Sequence, residues 1–559
     1  MTRVAILGGG VAGLTAAHEL AERGFEVVVL ESRDIPGGKA RSLPVPGSAT
    51  AGRADLPAEH GFRFFPGFYQ HIPDTMRRIP AGPKSVVDHL VGADRILLAQ
   101  AHGANEIIAP AHAAESLDDL AVLSKFLLDV MTGLGMTPAD HAWLMDRLLT
   151  LLTSCDARRY EQWELQSWWV YVKAEQRSDA FKKFLAEGLT RTLVAARARE
   201  ISARTGGLIL AQLIFDLTRA GARADRVLDA PTNAAWIDPW VAHIRSLGAD
   251  LRLDTPVQGI TVRDGRIAGV TTPGGTVTAD FYVAALPVER MRILAGPPLR
   301  ALDPRLAALD KLVTRWMNGV MFYLREDVPL VKGHAIYIDS EWALTSISQR
   351  QFWHGFDFGQ VGDGSVGGIL SVDVSDWTMP SRRLGKIAMQ CSREEVLDEV
   401  WAQLQDHLED LDRGNVVLAF LDPAIEFPNP TQAANLEPLL VNTSGSWPDR
   451  PDAVTRIPNL YLASDYVRTS TDLATMEGAN EAARRAVNGI LDATGSPAPR
   501  CEIWPLREPA VFGPAKALDR LRWRLRRPAK SPLRVTEDGR VEASGRVAAG
   551  LMRLSRLRG

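Results

Sequence analysis

The stretch RVAILGGGVAGLTAAHELAERGFEVVVLE, Arg3–Glu31, decides the fold class of this 559-residue chain. RVAILG is a short apolar run that reads as a buried strand. LTAAHELAERG reads as a helix stopped by Gly24. FEVVVLE is a second buried strand, continuous and β-branched, as a parallel sheet requires. Between the first strand and the helix, Gly8, Gly10 and Gly13 stand in the spacing G-x-G-x-x-G. The first glycine allows a tight turn. The second lets backbone amides approach a pyrophosphate, and the third lets helix and strand pack closely. The anion then meets the positive end of the helix dipole. Glu31 ends the second strand, where a carboxylate accepts hydrogen bonds from ribose hydroxyls and repels a 2′-phosphate. Together these features predict a dinucleotide-binding unit.

The chain is too long for one ordinary core, so two or more domains are expected. A 46% hydrophobic and 23% charged composition is that of a folded soluble protein. The formal net charge of −3 argues against nucleic acid as a partner. Cys155, Cys391 and Cys501 lie far apart, so neither a disulfide framework nor a metal site is expected, and a cytoplasmic location fits. The N-terminal glycines and the acidic HELAERG after them read as a fold element, not a signal peptide. No run of eighteen apolar residues predicts a transmembrane helix.

The pattern turns helical between about Ser116 and Leu217, in DDLAVLSKFLLDVMTGL, ADHAWLMDRLLTLLTS and DAFKKFLAEGLTRTLVAARA. Strands return near Asp250, with a hairpin at the DG and GG turns and a strand ending in VAALP. The expected parts are 1–110 and 226–295 for the nucleotide-binding domain, completed by 441–495. Residues 111–225 form a helical part of a substrate domain, 296–440 its mixed sheet, and 496–559 a basic tail outside the main fold.

Two further segments narrow the cofactor. ESRDIPGGKARS supplies Arg33, Gly37, Gly38, Lys39 and Arg41, and LYLASDYVRTSTDLATMEGANEAARRA closes the folded part. With the first glycine motif, and in this order, they resemble the motifs of the flavin amine oxidase and phytoene desaturase superfamily. The resemblance implies an α/β fold: a Rossmann-type FAD-binding domain with two glycine motifs and a discontinuous α+β substrate domain. It implies FAD, held without a covalent link, since no cysteine lies near the closing motif. Arg33 would lie near the adenosine, and Gly38 and Lys39 near the pyrophosphate and ribityl chain, with Arg41 completing that motif. Val257 would hold the adenine through its backbone, and Asp465 would bind the ribityl or pyrophosphate side. Met476, Glu477 and Gly478 would open a helix facing the flavin pyrimidine edge. Lys39 stands where the family usually has Arg, and Ser464 where it usually has Gly.

AEHGFRFFPGFYQHIPDT, Ala58–Thr75, alternates as a half-buried strand leading into a loop. By the same resemblance, Glu59, Gly61 and Arg63 pass beside the flavin ring. Phe62, Phe64, Phe65, Phe68 and Tyr69 become candidates for ring packing and tunnel wall. Glu59, His60 and Arg63 are the candidates for acid–base work or for stabilising a leaving group, His60 because its ordinary pKa is near neutral. The alternative for His60 is a histidine that holds the loop in place, and His354 in QFWHGFDFG reads as structural.

AEHGFRFFPGFYQHIPDTMRRIP, WALTSISQRQFW and EPLLVNTSGSWPDRP are similar to the bacterial hydroxysqualene dehydroxylase-like and phytoene desaturase-like group. That implies a lipophilic, isoprenoid-like substrate in an apolar tunnel, with hydride moving to or from flavin N5. An amine or amino acid oxidase producing peroxide is the first alternative. Asn318, aligned where amine oxidases carry a lysine, and the lone Trp447 weaken it. A non-redox flavin-bound isomerase or scaffold is the second. Trp163, Trp168, Trp169 and Tyr171 read as helix core or as tunnel lining.

In KALDRLRWRLRRPAK, Leu518, Leu521 and Leu525 share a helical face with Arg520, Arg522, Arg524, Arg526 and Arg527 around it, and Trp523 as an interfacial anchor. This reads as a cationic helix for a membrane surface, or as a solvated or self-docked tail. The oligomeric state is not legible from the sequence.

Overall fold

The strand β1 (Arg3–Leu7) lies at the centre of a five-stranded sheet. The computed structural model describes residues 1–93, 95–101, 103–108, 117–188, 196–217, 225–408 and 410–545. Beside β1 run β2 (Glu26–Leu30), β3 (Asp250–Arg252), β4 (Phe281–Ala284) and β5 (Leu460–Leu462), in the order β3–β2–β1–β4–β5. Every pairing is parallel. Val4, Ala5, Ile6 and Leu7 are buried, which is why the strand reads as an unbroken apolar run. The strand order reverses between β1 and β4, and ligands of such sheets bind in the crevice at that point.

Two helices cover this sheet, α1 (Val11–Glu22) and α2 (Met476–Thr494). They pack together, and Asn480 Nδ2 donates to Thr15 Oγ1 at 2.9 Å. Gly24 adopts φ +79° just past α1, the expected stop. Thus segments from the start, middle and end of the sequence form one domain. The α/β class, with a nucleotide-type sheet and a second domain inserted, matches the expectation.

The second domain holds a seven-stranded mixed sheet. Its strand Asn318–Leu324 is buried throughout. Val320, Phe322 and Leu324 face the helix Arg393–Gln405, packing with Val396, Val400 and Leu404. Met321 and Tyr323 face the other side, against Leu56, Ala58 and Phe358. The alternation is the period of two of a strand covered on both faces.

Two expected boundaries need correction. Arg95–Gln100 pairs with Gly333–Tyr337 and with Gly103–Ile108, so these two strands, assigned to the nucleotide-binding domain, in fact edge the substrate-domain sheet. The segment 496–545 is not outside the fold. Phe512, Leu533 and Val535 are buried in the core of the helical insertion, and Cys501 lies buried with the sheet domain. Its many arginines masked these few apolar anchors. In the helical insertion, Trp163, Trp168, Trp169 and Tyr171 are buried core residues. The expected helix from Asp179 is seen over Phe181–Gly188, and its residues 189–195 lie outside the described residues.

Candidate functional site

The glycine turn is built as the spacing requires. Gly8 has φ +105°, and a Cβ there would meet Ala285 O at 2.6 Å, just past β4. A Cβ on Gly13 would lie 1.8 Å from Gly8 O, so only glycine lets α1 sit this close to β1. Gly10 differs. A Cβ there would meet nothing nearer than Gly38 Cα at 3.6 Å, an ordinary contact, so the protein itself does not demand glycine at this position. Gly10 is the N-cap of α1 and offers no side-chain cap, so the first amides of the helix await a partner. The two glycine motifs touch: Gly37 N–H donates to Gly9 O at 2.9 Å. Glu31, buried at the end of β2, accepts from Gly9 N–H at 2.7 Å and from Arg33 N–H at 3.0 Å. Thr255 N–H donates to Glu31 O at 2.7 Å, which sets half-buried Val257 beside it.

The cations of the second motif are met by carboxylates that sequence reading missed. Arg41 Nη1 donates to Gly38 O at 2.7 Å and to both oxygens of Glu437 at 3.1 Å. Arg33 pairs with the same Glu437. Lys39 Nζ lies 3.1 Å from Glu289 Oε1 and also donates to Pro438 O. Burial pushes Glu437 up, but His60, Arg41 and Arg33 outweigh it and hold the carboxyl below its ordinary range.

Glu59, His60, Gly61 and Arg63 enter the same region from a bend between short strands. His60 Nδ1 stands 2.5 Å from Asp422 Oδ2 and 3.5 Å from Glu437 Oε2. Asp422 also accepts from Asn318 Nδ2 at 2.6 Å and from Ala424 N–H at 3.0 Å. Burial raises Asp422, and His60 with these donors brings it below its ordinary value. Glu59 accepts from Thr232 N–H at 2.9 Å and Thr232 Oγ1 at 2.8 Å, and Arg63 Nε lies 3.8 Å away. Burial still pushes the Glu59 carboxyl up to about 7. Asp373 is likewise pushed up to about 7 by burial, with Asp422 and Glu59 adding and Arg63 opposing. A Cβ on Gly61 would meet Asp373 Oδ1 at 2.7 Å, so the glycine is needed against the second domain.

Buried polar atoms here lack hydrogen-bond partners among the described residues: Nε and Nη2 of Arg63, Nε2 of His60 and Oδ1 of Asp373. Such orphans are costly unless something polar meets them. A flavin dinucleotide fits the donors: open glycine backbone for a pyrophosphate, a carboxylate at the strand end for a ribose.

Beside this cluster lies a small, partly open cleft. Ala196, Ile201, Met317, Leu439, Leu440 and Val441 line much of it, and Leu473, Ala474 and Thr475 bring it to the start of α2. Asn442 is its other polar group. Met317 precedes Asn318 and Leu439 follows Glu437 by two residues, so cleft and polar cluster share a wall.

A family profile described as flavin containing amine oxidoreductase matches residues 11–491. The chain belongs to this family. It is a flavin-dependent oxidoreductase with the family's fold. It is 24% identical over 505 residues to 15-cis-phytoene desaturase of Synechococcus elongatus, covering 85% of this chain and 93% of that protein. It is 23% identical over 508 residues to carotenoid phi-ring synthase of Streptomyces griseus, covering 88% of each. Cyclohexylamine oxidase of Brevibacterium oxydans shares its fold with a TM-score of 0.56 at 15% identity, over 88% of this chain and 99% of that one.

Within this flavin oxidoreductase, several expected site residues have other partners. The carboxylate of Glu477 accepts from the N–H groups of Gln70 and His71 at 2.7 Å and of Ile72 at 2.9 Å, and contacts His71 Nδ1 at 2.8 Å. It caps the helix His71–Arg77, so only its backbone, with that of Met476, faces the start of α2. Asp465 contacts Ser464 Oγ at 3.1 Å, next to β5. Phe65, Phe68 and Tyr69 are buried in the core of the sheet domain, and Phe64 packs edge-on against His334. Phe62, half-buried, packs at the edge of the second core. These rings are domain packing more than tunnel wall. Trp447 is no cage wall: it pairs with Tyr160 at 4.9 Å, and the Arg204 guanidinium lies 4.6 Å from its ring. His354 is exposed on a surface loop. EPLLVNTSGSWPDRP, similar in wording to one bacterial group, begins at Glu437 and could have flagged that residue.

Proposed function

We propose that this chain is a FAD-dependent enzyme acting on a lipophilic, isoprenoid-like substrate, as a desaturase or dehydroxylase. The observation carrying the reading is the cleft at the start of α2, whose walls hold no titratable side chain. An apolar carbon chain loses nothing by entering it, whereas a substrate ammonium would be stripped of water without a counter-charge. Bound flavin supplies hydride transfer at N5. The helix start at Met476 stabilises negative charge beside it. In this reading Glu59, His60 and Arg63, in the polar cluster beside the cleft wall, would assist a departing hydroxyl or take up a proton. The FAD is held without a covalent bond, and acid precipitation should leave the yellow flavin in the supernatant.

The deciding experiment offers squalene-type alcohols, carotenoid precursors and an amine panel to anaerobic enzyme. Bleaching of oxidised flavin with a mass loss of two hydrogens, or return of the yellow colour to chemically pre-reduced enzyme with loss of a hydroxyl oxygen as water, supports the reading. Bleaching by amines alone, with peroxide on admitting air, overturns it in favour of an amine oxidase. A changed polyene of unchanged mass overturns it in favour of an isomerase.

A further inference from the structure

The helix Gly513–Arg524 lies beyond the family's matched span, which ends at residue 491. It is docked on the helical insertion by one face. Asp519 is buried and accepts from Cys155 N–H at 2.9 Å and Arg158 Nε at 3.0 Å. Trp523 also turns inward, under the Arg158 guanidinium at 4.9 Å, not outward as its position in the sequence implied. Phe512 and Ala515 are buried on the same side.

This docking decides what the outer face presents. Asp519 is the helix's only acid, and burial removes it from the surface. Leu518, Leu521 and Leu525 remain 39%, 55% and 62% exposed along one stripe. Exposed Arg520, Arg524, Arg526 and Arg527 flank them, and their side chains form no ion pair among the described residues. After an intervening segment that carries Glu537, Asp538 and Glu542, the stretch RVAAGLMRLSRLRG adds four arginines and no acid.

We propose that this face is a docking surface for an anionic lipid bilayer. Leucines on a stripe bury into the boundary between headgroups and chains, while arginines beside them meet anionic headgroups. A second copy of this chain would repel such a face, since arginine would meet arginine. No helix among the described residues is long and apolar enough to cross a membrane, so this would be surface attachment. The proposal stands independently of the substrate reading.

Flotation of the full-length, flavin-loaded protein with vesicles tests it. Vesicles of phosphatidylcholine with phosphatidylglycerol should bind at least about tenfold more protein than phosphatidylcholine alone, and salt should reduce this. The variant Leu518→Ser/Leu521→Ser/Leu525→Ser, and separately Arg520→Gln/Arg524→Gln/Arg527→Gln, should each lose about tenfold in binding with flavin content unchanged. If the triple leucine variant fails to load flavin, single Leu521→Glu replaces it. Equal binding to neutral and anionic vesicles, or undiminished binding of the leucine variants, overturns the proposal. So does a wild-type dimer that these substitutions dissolve without changing flotation.

Discussion

His60 Nδ1 lies 2.5 Å from Asp422 Oδ2, and this contact joins the bend after the second glycine motif to the sheet of the second domain. Asn318, at the start of the neighbouring strand, ties Asp422 to Asn435 through bonds of 2.6 and 2.7 Å. Removing the charge should loosen both domains at once. Asp422→Asn is expected to cost about 3 kcal/mol, the scale of breaking a buried pair. Urea unfolding of flavin-free protein measures it.

Two glycines of one motif should fail differently. Gly13→Ala places a Cβ on Gly8 O, so the flavin-free protein itself should be destabilised and poorly soluble. Gly10→Val puts its Cβ in ordinary contact with Gly38, 3.6 Å from its Cα, without a clash. It should keep the far-UV circular dichroism spectrum of the parent and purify colourless. Full flavin loading of Gly10→Val would remove the cradle assignment.

Glu31→Ala takes away the acceptor for Gly9 N–H and for a ribose. A hydrogen bond to a charged group is worth about 1.5–3 kcal/mol, so flavin affinity should fall roughly tenfold or more. Titration of apoprotein with FAD, followed by flavin fluorescence, gives the ratio.

Glu477→Gln tests a clamp against a cofactor contact. Three backbone donors at the start of the helix His71–Arg77 lose a charged acceptor. Stability should drop by about 2–3 kcal/mol, while the folded fraction keeps one flavin per chain. Loss of flavin at unchanged stability would place the carboxylate at the cofactor instead.

Glu59 and Asp373 make stability depend on pH in a definite direction. Both carboxyls are held up to about 7 in the folded chain, chiefly by burial. A group harder to ionise when folded stabilises the fold fully only below its unfolded pKa, and that contribution is lost as pH rises to 7. The flavin-free protein should therefore lose stability between about pH 4.5 and 7 from these groups, by about 1.4 kcal/mol for each pH unit of displaced titration. Asp373→Asn should flatten the decline in urea midpoint over that window.

The local rules were legible wherever a turn or strand depends on its own residues. Asp264 and Gly265 have φ of +50° and +73°, the hairpin turn that the DG pair announces. The three glycines and Glu31 sit where their spacing puts them. What stayed hidden depends on partners far along the chain. Arg33 and Arg41 look like free cofactor ligands until Glu437 arrives from another domain. Glu477 sits in a motif read as facing the flavin, yet its carboxylate serves a helix some four hundred residues earlier. Asp519, one acid among many arginines, fixes which side of the C-terminal helix faces outward. No periodicity records such pairings.

The sheet order also carries a lesson for biosynthesis. β1 is made first, but one of its two neighbours, β4, is Phe281–Ala284, and the sheet closes only with Leu460–Leu462. A growing chain leaving the ribosome must keep an unpaired apolar strand edge for more than half its synthesis, which invites aggregation and chaperone capture. The cradle encoded in the first dozen residues is thus among the last parts to be finished. Nascent chains stopped before α2 should bind no flavin, however complete their glycine motifs.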